Sequence, residues 1–249
     1  METRAVVINE YGGKEKLAEA KVSLPELGAD QVLVKVAATS INPIDWKLRE
    51  GYLKQMFPWS FPIILGWDVA GEIVEVGQKV KDYHVGDRIF ARPETTRFGT
   101  YADYTIVDSN LLAPVPESIA FTEAAAVPLA GLTALQALFD HGSLKAGEKV
   151  LIHAGAGGVG TYAIQLAKNA GAYVITTASP RNHELVKKLG ADEVIDYHTT
   201  DFEEVLTDID LVFDTMGGEI QKKSFSVLKE HGRLISCLLY TSPSPRDAH

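Results

Sequence analysis

Apolar and polar residues alternate with a period of two through much of the first hundred positions. In Gln31-Val32-Leu33-Val34-Lys35-Val36-Ala37, one face of a strand carries Val32, Val34 and Val36. Gly71-Glu72-Ile73-Val74-Glu75-Val76-Gly77 repeats the pattern and closes on glycine. Ala5-Val6-Val7-Ile8 is a short apolar strand. Val85-Gly86-Asp87-Arg88-Ile89-Phe90 is a turn feeding a strand, and Thr100 to Val107 is one more. Short strands separated by turn signals predict a small barrel or sandwich. Asn42-Pro43 starts a helical turn that runs to Arg49, with proline at its first position.

The pattern changes after Pro114 and Pro116, which mark a linker. Thr122 to Phe139 is rich in alanine and leucine and reads as helix, interrupted at Pro128 and ended at Gly142. Strands and helices then alternate. The strands are Val150-Leu151-Ile152, Ala172 to Thr177, Glu193 to Tyr197, Asp210 to Asp214 and one beginning at Arg233. The helices are Val159 to Ala170, Asn182 to Leu189 and Ile220 to Leu228. Such alternation predicts a parallel sheet with right-handed crossovers. The expected fold class is α/β, an incomplete Rossmann-type doubly wound sheet preceded by a β-rich domain. The expected domains are residues 1–120 and 121–236.

Between the first strand of that sheet and its helix stands Gly155-Ala156-Gly157-Gly158-Val159-Gly160. Gly155, Gly157 and Gly160 fit G-x-G-x-x-G in the strand–turn–helix setting that gives the motif meaning. One glycine makes the tight turn, one lets backbone approach a pyrophosphate, and one lets helix and strand pack closely. The phosphates then sit on free N–H groups at the positive end of the helix, so Gly155, Gly157, Gly158, Val159 and Gly160 form the candidate cradle.

An NAD site usually places a carboxylate about 20 residues beyond the glycines. From Thr161 to His183 this chain has no acid, and Ala178-Ser179-Pro180-Arg181-Asn182 stands there instead. Ser179 can donate to a 2′-phosphate and Arg181 can pair with it through its planar fork. Ser179, Arg181 and Asn182 therefore point to NADPH rather than NADH. An exposed arginine at a helix start is the competing reading of Arg181.

Composition narrows the class. The chain has 249 residues, a net charge of −9, no basic tract and no apolar run long enough for a membrane span. Nucleic acid and membranes are not expected partners. No signal peptide opens the sequence, and its one cysteine, Cys237, excludes an internal disulfide framework, so a cytoplasmic protein is expected. Residues 237–249 depart from all that precedes them. A buried strand should not run into Ser-Pro-Ser-Pro, and the string reads as translated adapter sequence, with the chain cut inside its fifth sheet strand.

Several motifs carry a resemblance over residues 1 to about 236. They are Thr39-Ser-Ile-Asn-Pro-Ile-Asp45, Leu65-Gly-Trp-Asp-Val-Ala-Gly71, Val85-Gly-Asp-Arg-Ile89, Gly131-Leu-Thr-Ala134, the glycine turn, and Leu189-Gly-Ala-Asp-Glu-Val-Ile-Asp-Tyr197. The chain resembles the medium-chain dehydrogenase/reductase superfamily, in its zinc-free NADPH:quinone oxidoreductase branch. The resemblance implies a GroES-like first domain, a Rossmann second domain and a cleft between them. It implies that Asn42, Asp45 and Tyr52 face the nicotinamide and the substrate. Asn42 would hydrogen-bond an acceptor oxygen, or else simply cap its helix. Asp45 would serve the site, or else only the helix start. Tyr52 would give a proton or wall the pocket. Thr133 would lie near the cofactor and Tyr197 near the adenosine phosphate.

Zinc-dependent relatives carry a cysteine where this chain has Asn42 or its neighbours, and Gly-His-Glu where it has Gly66-Trp67-Asp68. They also carry a four-cysteine lobe. No cysteine precedes Cys237 here, and no two of the seven histidines stand at ligand spacing, so no metal is expected. His153 is expected to be a satisfied buried histidine, and Trp46, Trp59 and Trp67 core or pocket wall. The implied activity is NADPH-dependent hydride transfer to a small electrophile, a quinone. The alternatives are reduction of the C=C bond of a 2-alkenal or enone, and a crystallin-like protein that binds NADPH without turnover. A homodimer is expected from the family.

Overall fold

The computed structural model describes residues 1–238. Two units are present, Met1–Leu129 and a second beginning at Ala130. In chain order the first holds β1 (Glu2–Ile8), β2 (Leu17–Ser23), β3 (Gln31–Ala38), α1 (Pro43–Arg49), β4 (Ile63–Ile64), β5 (Val69–Val76), β6 (Arg88–Ala91), β7 (Tyr104–Asp108), β8 (Leu112–Pro114) and α2 (Phe121–Ala124). They form a three-stranded sheet, β2-β1-β4, and a five-stranded antiparallel sheet, β7-β3-β5-β6-β8. The alternation seen in sequence sets the register of the larger sheet. Val32 pairs with Val76 and Val34 with Ile73, and Val32, Val34, Ile73, Ile89 and Val107 are buried together. A one-residue slip would turn that apolar set to solvent. β2, β4 and β8 are additional to the strands expected. β2 buries only Val22, so it carries no alternation to read. α2 packs on β3 and β5, and its Ala124 is buried with Ala70 and Val115. This places residues 121–129 with the first unit.

α3 (Pro128–Leu135) bridges into the second unit and continues as a π-helical turn, Gln136–His141. Then follow β9 (Lys149–Ile152), α4 (Gly158–Asn169), β10 (Tyr173–Ala178), α5 (His183–Leu189), β11 (Glu193–Asp196), α6 (Phe202–Val205), β12 (Ile209–Asp214), α7 (Gly218–Ser224) and β13 (Leu228–Ser236). The sheet is wholly parallel with strand order β11-β10-β9-β12-β13. This is the Rossmann order 3-2-1-4-5, in which the order reverses beside the first strand. Val150, Leu151 and Ile152 are all fully buried. Val150 and Ile152 meet Ala163, Ile164 and Ala167 of α4 on one face, and Leu151 meets Phe202, Leu206 and Val227 on the other. Each such side chain contributes roughly 1.5–3 kcal/mol of burial, which is why a strand covered on both faces reads as an unbroken apolar run.

The helix ends at Gly142 as expected, with Gly142 right-handed and Ser143 (φ 48°) making the left-handed turn beyond it. Two boundaries differ from expectation. α7 stops at Ser224 and a 3-10 turn fills Phe225–Val227. β13 begins at Leu228, with an irregularity before Arg233 where His231 takes φ 62°. Cys237 still packs against the sheet's core, and its N–H donates to the Asp214 carbonyl at 3.3 Å. The rest of the expected tail, from residue 239, lies outside the described residues. Among the described residues no helix is long and apolar enough to cross a membrane.

Candidate active site

The glycine turn follows β9. Ala154 adopts φ 51°, a conformation rare for a residue with a side chain. It is held there by its N–H on Thr177 Oγ1 at 3.0 Å and by the Gly155 N–H on the Thr177 carbonyl at 3.1 Å. The glycines divide into two pairs. A Cβ on Gly155 would fall on Thr176 Oγ1, and one on Gly160 would fall on the Ala154 carbonyl. Those two are required by packing within the chain. A Cβ on Gly157 would meet only the Ala154 carbonyl, at 3.2 Å, and one on Gly158 would meet nothing within 4 Å. The room above Gly157 and Gly158 is thus not used by the described residues. Gly157 is the N-cap of α4 and supplies no side-chain cap, so the first-turn N–H groups of Gly158, Val159 and Gly160 face that room. This cradle fits a pyrophosphate.

Beyond the ends of β10 and β11 lies a pocket of about 510 Å³ lined by Ser179, Pro180, Arg181, Tyr197 and His198. Ser179 opens the 3-10 turn Pro180–Asn182. Asn182 donates to Ser179 twice, through its N–H to the carbonyl at 2.9 Å and through Nδ2 to Oγ at 3.2 Å. Asn182 therefore orients Ser179 and does not line the pocket. Tyr197 is exposed, with its ring 4.3 Å from that of His198. No carboxylate lines the pocket, and a guanidinium and a hydroxyl do, which fits a phosphate. His198 was absent from the sequence-derived set because nothing in its spacing distinguishes it. Thr133 is half-buried on α3.

The first unit gathers a second polar cluster. Asp68 is 1% exposed and its carboxylate accepts three hydrogen bonds. They come from Ser40 Oγ, from Asn42 Nδ2 at 2.7 Å, and from the Leu129 N–H at 2.8 Å. Asn42 Nδ2 also reaches Ser40 Oγ at 3.0 Å, so both amide hydrogens are used inside the protein. Asn42 is the N-cap residue of α1, without a side-chain cap hydrogen bond. Asp45 is 3% exposed and closes the helix start, accepting the Asn42 N–H at 2.6 Å and the Tyr101 hydroxyl at 2.7 Å. Its Oδ1 is buried without a partner. Through the Asn42 N–H the carboxylate is tied to the first turn of α1. Burial pushes the carboxyl groups of Asp45 and Asp68 above their usual range, against the lowering effect of their donors. Burial likewise raises the Tyr101 hydroxyl. Tyr52 is the opposite case, 69% exposed and edge-on to Trp46 with 5.8 Å between rings. Gly66 (φ 89°) brings Trp67 and Asp68 into place, where a side chain at residue 66 would meet Tyr101 and Thr100.

His153 is buried and satisfied as expected. Nε2 lies 2.9 Å from Ser224 Oγ, and the ring stands edge-on to Phe202. Burial lowers its pKa to about 4. Trp67 is core, with Nε1 donating to the Thr96 carbonyl at 3.2 Å. Trp46 is 42% exposed and so is not core.

Two family models match the chain, the alcohol dehydrogenase GroES-like domain over residues 28–117 and the zinc-binding dehydrogenase domain over residues 158–245. A quinone oxidoreductase of known structure from Coxiella burnetii is 40% identical, with a TM-score of 0.90, over 97% of this chain and 77% of that one. The chain belongs to the medium-chain dehydrogenase/reductase superfamily, in its quinone oxidoreductase-like branch. Two Arabidopsis thaliana members are also similar. The chloroplast envelope quinone oxidoreductase homolog is 44% identical over 78% of this chain and 61% of its own length. The chloroplastic NADPH-dependent alkenal/one oxidoreductase is 40% identical over 94% of this chain and 62% of its own length. The chain thus spans about three fifths of the length of these two relatives.

The description of the second family model raises zinc. Zinc needs three or four converging N, S or O ligands. At the positions where zinc-dependent members of the superfamily bind metal, this chain offers an amide, an indole and a carboxylate. The amide and the indole are spent as donors, and the carboxylate is occupied by three donors of its own. Among the described residues no group of three or more His, Cys, Asp or Glu side chains converges. The residues present do not fit zinc.

Proposed function

We propose that this superfamily member is an NADPH-dependent reductase of quinones or related electrophilic carbonyl compounds and works without a metal. The observation that carries the reading is the pairing of the unused room over Gly157 and Gly158 with the phosphate-like pocket of Ser179 and Arg181. When bound, the dinucleotide supplies the hydride. The first turn of α4 holds the pyrophosphate. Ser179 and Arg181 hold the 2′-phosphate, with Asn182 orienting Ser179. Tyr197 borders the adenosine, and Thr133 lies near the cofactor. Of the three residues proposed for the acceptor side, Asn42 and Asp45 act through their fixed network, holding the loop from Thr39 to Asp45 in place. Tyr52, whose hydroxyl makes no hydrogen bond among the described residues, is the group free to give a proton to a reduced acceptor or to wall it.

Quinones and 2-alkenals are electrophilic without metal activation, so both lie within this chemistry. The names of the two plant relatives divide between them. Homodimerisation and cytoplasmic placement are proposed on the grounds given for the sequence, although both plant relatives carry chloroplast names. The test is NADPH consumption by the full chain with a benzoquinone and a 2-alkenal in parallel, each repeated with NADH. Turnover of either acceptor faster with NADPH supports the proposal. Tight NADPH binding with neither acceptor reduced would move the chain to the non-catalytic binding class.

A further inference from the structure

One side chain of the pocket beyond β10 and β11 has no role in the account above. His198 shares the lining with Ser179, Pro180, Arg181 and Tyr197. Its position is set twice. Its N–H donates to Asp196 Oδ1 at 3.0 Å where the chain leaves β11, and its ring lies 4.3 Å from that of Tyr197 at an interplanar angle of 39°. Arg181 reaches the same pocket from the 3-10 turn that follows β10. A basic ring and a guanidinium therefore line it from different strand ends.

We infer that His198 is a specificity-determining residue for the 2′-phosphate of NADPH, and that it makes discrimination against NADH stronger at low pH. The inference rests on the cofactor reading above. A phosphate monoester offers three acceptor oxygens and carries about −1.5 to −2 charges at neutral pH. A guanidinium fork satisfies two oxygens and the Ser179 hydroxyl leaves capacity for another donor. Imidazole gains its positive charge between pH 8 and 5, within the working range of most enzymes. Arg181 opposes a positive charge on His198, the Asp196 carboxylate favours one, and Tyr197 contributes a neutral ring contact. A bound phosphate favours the charged ring.

The experiment titrates the full chain with 2′,5′-ADP and with 5′-AMP by calorimetry, at pH 6 and pH 8.5, for the wild type, His198→Gln and His198→Arg. The phosphate's own ionisation near pH 6 affects all three proteins alike, so the comparison is between proteins at one pH. The wild type should bind 2′,5′-ADP roughly fivefold more tightly than His198→Gln at pH 6, and equally at pH 8.5. His198→Arg should match the wild type at pH 6 and exceed it at pH 8.5. All three should bind 5′-AMP alike. His198 is exposed, so the variants should fold as the wild type does. A wild-type preference for 2′,5′-ADP that His198→Gln retains in full at pH 6 would overturn the role of His198 and leave the cofactor reading intact. No preference for 2′,5′-ADP over 5′-AMP in the wild type at either pH would overturn both.

Discussion

Asn42 Nδ2 donates to Asp68 Oδ2 at 2.7 Å, joining two segments 26 residues apart. With Ser40 Oγ and the Leu129 N–H on the same carboxylate, one buried side chain ties together the loop before α1, the start of β5 and the first turn of α3. Asp68→Ala should leave three donors facing a small cavity. The expected loss is about 3 kcal/mol, since each abandoned donor costs about 1–3 kcal/mol and neighbouring losses do not add. Urea unfolding of the wild type and the variant measures it. An unchanged midpoint would mean that water or another acceptor replaces the carboxylate at no cost.

His153 gives the second unit an acid limit. Its folded pKa of about 4 lies below the ordinary value of 6.5, because burial disfavours the charged ring. Between those values the unfolded chain binds a proton at this residue and the folded chain does not. The stability it contributes is complete above pH 6.5 and is lost as pH falls toward 4. That loss approaches about 3 kcal/mol, taking 1.36 kcal/mol per unit. His153→Gln keeps a partner for Ser224 Oγ and removes the titration. Its unfolding midpoint should fall less than the wild type's between pH 7 and pH 4.5. Parallel curves would assign the acid sensitivity elsewhere.

The glycine turn separates folding from binding. Gly160→Ala puts a Cβ on the Ala154 carbonyl, and the turn or α4 must shift to admit it. It should lower the thermal midpoint, at a cost on the order of 2 kcal/mol. In Gly157→Val the added Cβ meets only one carbonyl, at 3.2 Å, in an extended conformation that valine tolerates. It should fold nearly as the wild type does and lose NADPH binding, because its side chain occupies the room meant for phosphate. Fluorescence titration with NADPH, read beside thermal melting, distinguishes the two. Equal melting losses in both variants would place Gly157 in the packing of the turn.

Much of this arrangement is legible in the sequence, for physical reasons particular to each part. The run Val150-Leu151-Ile152 is readable because a doubly covered strand has no polar face. The glycine turn is readable because a Cβ would strike the Thr176 side chain at position 155 and the Ala154 carbonyl at position 160. β2 left no trace, since an edge strand that buries only Val22 can take almost any residue on its exposed faces. The Asp68 network was hidden for another reason. Asn42 and Asp68 each stand in a recognisable motif, and only the folded chain shows that their side chains are spent on each other. Asp45 followed the same course, since its acidic residue type suits a reacting centre and a helix start equally well. The folded chain adds its burial and its bond to the Asn42 N–H, which the residue type alone does not show.

In the proposed function Arg181 carries the choice between the two nicotinamide cofactors. It shares its pocket with Ser179 and with no carboxylate, and it stands where an NAD-preferring sheet would place an acid against the ribose hydroxyls. Arg181→Asp reverses the charge at that point. The loss for NADPH should be roughly 10- to 100-fold in Kd, since hydrogen bonds to charged groups contribute about 1.5–3 kcal/mol. NADH has no 2′-phosphate to repel and offers a hydroxyl that the new carboxylate can accept from, so its Kd should stay level or fall. Parallel binding titrations with the two cofactors give the answer directly. Equal weakening of both would show that Arg181 contacts a part of the dinucleotide common to them, such as the adenine or the pyrophosphate. Preference for NADPH would then rest on Ser179 and His198.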